Sequence, residues 1–132
     1  MTANITPIFT LTPVIGKASV GTANTNRDST GTIATILTGG SNGTRVTRIT
    51  IKATVTTTAG MLRLYIADAV PNIHLWREIP ITAITGSASV AEFESTISLT
   101  GEQALILPSG YSLRASVHNA ENCNVFAEGG DY

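Results

Sequence analysis

Residue types that carry catalysis or bind metals are scarce in this chain and poorly spaced. The 132 residues contain two histidines and one cysteine, namely His74, His118 and Cys123. A metal site requires several ligands that converge, and the separation between His118 and Cys123 is not typical of a ligand pair. A single cysteine cannot form an internal disulfide, so we interpret Cys123 as a buried, reduced thiol. We therefore expect no metal site.

Patterns typical of nucleophilic or acid–base catalysis are equally weak. Serines are abundant, but a catalytic triad could be assembled from them only by arbitrary choices. Glu92 and Glu94 share one face of a predicted strand, and such a pair usually marks a solvated edge. Gly39-Gly40 and Gly129-Gly130 lack the strand-to-helix context of a phosphate-binding loop. We predict that the protein is not an enzyme and binds no cofactor.

One aromatic residue raises the question of sugar binding. Carbohydrate modules built from β-sheets stack sugar rings on exposed aromatic side chains, and Trp76 is the only tryptophan. Arg77 and Glu78 follow it directly, which favours a position at the rim of the fold. The alternative is a place for Trp76 in the core, where large aromatic side chains contribute most to packing.

The cationic residues point to a protein–protein contact. The chain has six arginines and only two lysines, and arginine is favoured over lysine in interfaces. Arg48, Lys52, Arg63 and Arg114 each fall on the polar face of a predicted strand, and they line one surface if those strands are neighbours. Arg27-Asp28 is a further interface candidate, in a polar loop. The alternative is a set of separate surface charges.

The elements that must position these residues are strands. In RVTRITIKATVTTT (45–58), Ile49, Ile51, Ala53 and Val55 alternate with polar residues. A period of two is typical of a half-buried β-strand, because successive side chains leave opposite faces. The odd face is therefore predicted to enter a core, and the even face to contact water or a partner.

Similar short runs recur along the chain without any helical periodicity. They predict strands at 31–38, 45–57, 61–68, 74–82 and 89–99, two strands within 104–117, and a short final strand before a polar tail. The fold is therefore predicted to be all-β, a single jelly-roll-like antiparallel β-sandwich of about eight strands. A seven-stranded immunoglobulin-like sandwich is the alternative, although its Cys…Trp…Cys core is missing.

Composition sets the remaining expectations. We expect residues 1–30 to form an extended N-terminal arm that can hold an edge strand, and residues 31–132 to form the sandwich domain. Charged residues are 13% of the chain, threonines number 21, and the net charge is −1. A net charge this small produces no long-range electrostatic field that would attract nucleic acid or an anionic membrane. The N-terminal residues do not resemble a signal peptide, so we expect synthesis in the cytoplasm.

The sequence as a whole resembles a known family. The segments TANTNRDSTGTIATILTGGSNGTRVTRITIKATVTTTAGMLRLYIAD, LWREIPI and LPSGYSLRASVHNAENCNVFAEGGDY are similar to small jelly-roll virion proteins of tailed bacteriophages, the capsid decoration (cement) proteins. The resemblance runs from about Thr22 to Tyr132. It implies a homotrimer that binds the major capsid protein on the outside of the head. The alternative it leaves open is a receptor- or glycan-binding module associated with the tail or head.

Overall fold

The computed structural model describes residues 8–132. Within that range all regular structure is β, apart from one 3₁₀ turn at Gly101–Gln103. Residues 1–7, the first part of the predicted arm, lie outside the described residues. The nine strands are β1 (Thr12–Val20), β2 (Ala34–Thr38), β3 (Thr44–Ala53), β4 (Gly60–Ala67), β5 (Ile73–Ile81), β6 (Glu94–Ser98), β7 (Leu105–Leu107), β8 (Ser112–Val117) and β9 (Cys123–Asp131).

The strands form two antiparallel sheets packed face to face. The first sheet has the order β1-β9-β3-β6, with β7 also paired to β3, and the second has the order β2-β8-β4-β5. Partners are nested, because β1 pairs with β9, β2 with β8, β3 with β6 and β7, and β4 with β5. This nesting is the double Greek key of a jelly roll. The predicted antiparallel sandwich is confirmed, with nine strands.

The core lies between the sheets and follows the predicted alternation. Ile49, Ile51 and Ala53 on β3 are fully buried. Val46 also faces the core, because a bulge between Val46 and Arg48 shifts the register against β9 by one residue. The other strands contribute inward side chains that are buried to the same degree, including Leu62, Leu64, Leu107, Leu113, Val117 and Val125.

Strand β9 is longer than the predicted final strand, and the predicted polar tail is wrong. It lies inside the first sheet, where residues 123–131 pair with β1 on one side and β3 on the other. A Cβ at Gly129 would lie 1.7 Å from the carbonyl oxygen of Arg45. Glycine therefore allows the close approach of β9 to β3 that a side chain would prevent.

Edges and turns agree with the sequence signals better than strand lengths do. Pro80 predicts an edge position for its strand, and β5 is an edge strand of the second sheet. The dipeptide Asn42-Gly43 is typical of a turn that needs a positive φ, and Gly43 has a φ of 91°. Strand β3 ends at Ala53 instead of residue 57, which leaves Val55 exposed. Strand β6 begins at Glu94 instead of residue 89, because residues 85–93 form a loop beside it.

Candidate functional site

The two outer faces of the sandwich differ, because the chain itself covers one of them. Residues 22–32 cross the outer face of the second sheet and form a strap. The strap is attached where the amide of Asn24 donates to the carbonyl of Val117 (2.8 Å). The Tyr65 hydroxyl donates to the carbonyl of Asn26 (3.1 Å), and the Ser29 hydroxyl donates to the carbonyl of Ile73 (2.6 Å). Tyr65 is consequently fully buried although it points outward from the sheet.

Arg63 lies beneath this strap and is buried, with a side chain only 3% exposed. Its guanidinium donates to Glu78 Oε2 (3.1 Å) and to the carbonyl of Asn24 (3.1 Å), and its third nitrogen lies 3.3 Å from His118 Nδ1. A buried cation is tolerated only when its donors are satisfied in this way. Arg63 is therefore not available at the surface as the interface residue that the sequence pattern predicts.

Arg27 and Asp28 belong to the strap and bond within the chain. The Arg27 guanidinium donates to Glu78 Oε2 at 2.8 Å, and this hydrogen bond is the main reason that the pKa of the Glu78 carboxyl is lowered. The Asp28 carboxylate accepts hydrogen bonds from the hydroxyl and amide of Thr30, which lower the pKa of Asp28. Both side chains are accessible to solvent, but their charged groups already have partners.

Arg114 also lies on the second sheet, on the polar face of β8. It is half-buried, and its Nε donates to the Ser112 hydroxyl at 2.9 Å. Its neighbours across the sheet are Thr35 and Tyr65. The predicted set of four cations is thus divided: Arg63 and Arg114 stand on the second sheet, and Arg48 and Lys52 on the first.

The outer face of the first sheet is open over most of its area. Among residues 8–132, the segment before β1 lies over only one end of it, where Thr10 covers Gly130 of β9. Its side chains form three rows across β1, β9, β3 and β6, because the four strands share one register. The rows are Ile15, Glu128, Arg48, Ser98; then Lys17, Phe126, Thr50, Thr96; then Ser19, Asn124, Lys52, Glu94. We call these twelve residues the open face.

Charges on the open face are few and largely compensated. Three cationic and two acidic side chains leave a net charge of +1 across the twelve residues. Arg48 forms an ion pair with Glu128 across β3 and β9, and the Lys52 ammonium donates to the carbonyl of Glu92 at 2.9 Å. Lys17 has no ion pair among residues 8–132. Such a surface favours close contact with another neutral-polar surface over binding to a highly charged polymer.

Phe126 stands in the middle of the open face, which sequence reasoning missed. It is half-buried and lines a shallow depression with Lys17, Ser19 and Asn124. The Ser19 hydroxyl donates to Asn124 Oδ1 at 2.9 Å. The signal was present, because Val125 and Ala127 point inward and strand alternation then places Phe126 outward. Aromatic residues are enriched in protein interfaces, so Phe126 makes the open face a candidate contact surface.

Trp76, the predicted sugar-stacking residue, packs partly against the core. The guanidinium of Arg77 lies 4.7 Å from the centroid of its ring. A cation–π contact at this distance occupies one face of the indole. Trp76 therefore lies between the two predicted positions, the rim and the core. Part of its ring packs against the core, and Arg77 lies over the ring.

The residues with catalytic or ligating chemistry do not converge. No group of three or more His, Cys, Asp or Glu side chains that could hold a metal occurs in the described part of the chain. Cys123 is buried, and burial raises the pKa of its thiol to about 11. Glu92 precedes β6 and packs against Gly86, whereas Glu94 is exposed on the open face. One oxygen of Glu92, Oε2, is buried and has no hydrogen-bond partner among residues 8–132.

GGSNG, residues 39–43, matches the G-x-S-x-G spelling of a nucleophile elbow, a match that sequence reasoning passed over. That elbow requires a turn from a strand into a helix, whereas these residues turn the chain from β2 into β3. Ser41 is exposed at the tip, and no described hydrogen bond connects it to His74 or His118. The match therefore arises because glycine, serine and asparagine are residues that favour turns.

Comparisons with known proteins add nothing to these structural observations. Neither a scan against protein-family models nor a search of curated proteins finds a match. Among residues 8–132, no helix has the length and apolar character needed to cross a membrane.

Proposed function

We propose that this protein is a structural protein of the tailed-bacteriophage virion, a decoration (cement) protein on the head. In this role it is made in the host cytoplasm, assembles as a homotrimer, binds the major capsid protein and stabilises the shell through contacts between subunits. It acts as a binding module and not as an enzyme. The proposal rests on the resemblance of the sequence and on the character of the open face.

The open face is the observation that carries the proposal. Four strands hold it rigid, its charges are nearly balanced, and an aromatic ring stands at its centre. The opposite outer face, that of the second sheet, is already covered by the strap. A cement protein needs such a stable scaffold with one broad contact surface, and trimerisation would multiply weak contacts through effective concentration.

The test compares two outward-facing threonines on opposite outer faces, Thr50 on the interior strand β3 and Thr35 on the edge strand β2. Thr50→Glu introduces a charge beside Phe126 on the open face, and Thr35→Glu introduces the same charge on β2 of the second sheet. Both variants are titrated onto purified expanded heads of the phage that carries this protein. We expect Thr50→Glu to weaken binding about ten-fold or more, because the added carboxylate becomes desolvated in the contact. Thr35→Glu is expected to bind like the wild type.

The stoichiometry of binding provides the second readout. Saturation at a ratio that matches the symmetry axes of the shell supports the decoration role. Failure of the wild-type protein to bind heads refutes it. Binding to cells or polysaccharide, lost in Phe126→Ala or Trp76→Ala, identifies instead the alternative of a receptor- or glycan-binding module.

A further inference from the structure

Exposed apolar side chains concentrate on the segment that leads into β1. Ile8, Phe9, Leu11 and Ile15 are 66%, 76%, 83% and 65% exposed. They are four of the eight large hydrophobic residues exposed in the described structure. Isolated apolar residues at the surface need no explanation, but a contiguous group of them marks an interaction site.

A fifth residue extends this group into one surface. The amide of Leu11 donates to the carbonyl of Asp131 at 2.7 Å, so the segment runs beside the end of β9. Ile8 lines one shallow groove together with Ile106 of β7 and Tyr132. Ile106 is 56% exposed. We call Ile8, Phe9, Leu11, Ile15 and Ile106 the apolar edge; it adjoins the open face, with which it shares Ile15.

We propose that copies of this chain associate with one another through the apolar edge. A stable interface buries about 800 Å² on each partner, of which roughly 60% is apolar. Five large side chains, each exposed by more than half, offer on the order of 500 Å² of apolar surface. The apolar edge thus supplies by itself the apolar area that such an interface requires.

The occupant that fits this area best is a second copy of the same chain. An apolar patch that lies at a rotation axis packs against the same patch of the other copies, and oligomers of a single chain usually have such closed rotational symmetry. Strand β1 is also at the border of its sheet, and an open strand edge accepts a further strand. This inference deepens the proposed self-assembly by naming its surface, and it does not require a capsid.

The test measures the mass of the full chain in solution by sedimentation velocity, from about 1 to about 200 μM. Leu11→Ser is compared with Val70→Ser, which removes an equally exposed side chain from the β4–β5 turn. We expect the wild type to form an oligomer and Leu11→Ser to raise its dissociation constant about ten-fold or more. Val70→Ser is expected to match the wild type.

Hydrogen exchange distinguishes self-association from coverage of the apolar edge by another part of the same chain. Amides of residues 8–15 are expected to become more protected as the protein concentration rises. Protection that is equal at all concentrations means that the chain covers the edge itself, and that result overturns the inference. A wild type that stays monomeric at about 200 μM, or an oligomer unaffected by Leu11→Ser, also overturns it. A monomer that still binds heads refutes only this inference, and an oligomer that does not bind them refutes only the proposed function.

Discussion

Replacing Arg63 by methionine tests whether the strap is held by a buried cation. The substitution keeps most of the apolar stem and removes the guanidinium, which donates to Asn24 and Glu78 and contacts His118. A hydrogen bond to a charged group contributes about 1.5–3 kcal/mol where it is buried. Glu78 is partly exposed, so its pairing with Arg63 adds little to that. We expect Arg63→Met to lower the free energy of unfolding by about 3 kcal/mol.

Chemical denaturation measures this loss directly. For a domain of this size, 3 kcal/mol corresponds to a fall of about 10 °C in the midpoint of thermal unfolding. Hydrogen exchange should also accelerate in residues 24–30, because the carbonyl of Asn24 loses its partner beneath the strap. Those amides are expected to respond more than the amides of β3.

Arg48→Met is the matched control, because it removes the same group from the opposite outer face. The Arg48 side chain is 54% exposed, and an exposed ion pair contributes about 0–1 kcal/mol. A loss below 1 kcal/mol is therefore expected for the control. Equal losses in the two variants, or a loss below about 1 kcal/mol in Arg63→Met, would refute the reasoning.

Two further predictions concern the core and the first sheet. Because burial raises the pKa of Cys123 to about 11, the folded state keeps a neutral thiol where the unfolded chain would ionise. Native protein should therefore react with Ellman's reagent far more slowly than unfolded protein. Stability should fall as the pH rises from about 9 towards 11, and Cys123→Ala should remove that part of the pH dependence. Gly129→Ala should destabilise the fold by more than about 2 kcal/mol in urea denaturation, since its Cβ would meet the carbonyl of Arg45.

Each of these has a clear contrary result. Equal labelling rates for native and unfolded protein would contradict the burial of Cys123. An unchanged urea midpoint in Gly129→Ala would show that β9 and β3 can separate without cost, and Ser98→Ala on β6 serves as the control on the same sheet.

The fold was accessible from the sequence because strand alternation is a local property. Ile49, Ile51 and Ala53 enter the core as the period of two predicts, since each side chain must leave the pleat opposite to its neighbour. Pro80 and Gly43 signalled an edge and a turn through their own backbone restrictions. The length of β9 was not accessible, because it depends on pairing with β1 and β3 at distant positions in the chain.

Which outer face is open was decided only by tertiary structure. The sequence by itself placed Arg48 and Arg63 alike on polar strand faces. The strap then buried Arg63 and left Arg48 in solvent, through hydrogen bonds from residues 22–32 to strands far along the chain. Those strap residues are polar and lack periodicity, so no local sequence pattern predicts where they lie. Alternation determines which side of a strand faces away from the core, but only long-range contacts determine what that side meets.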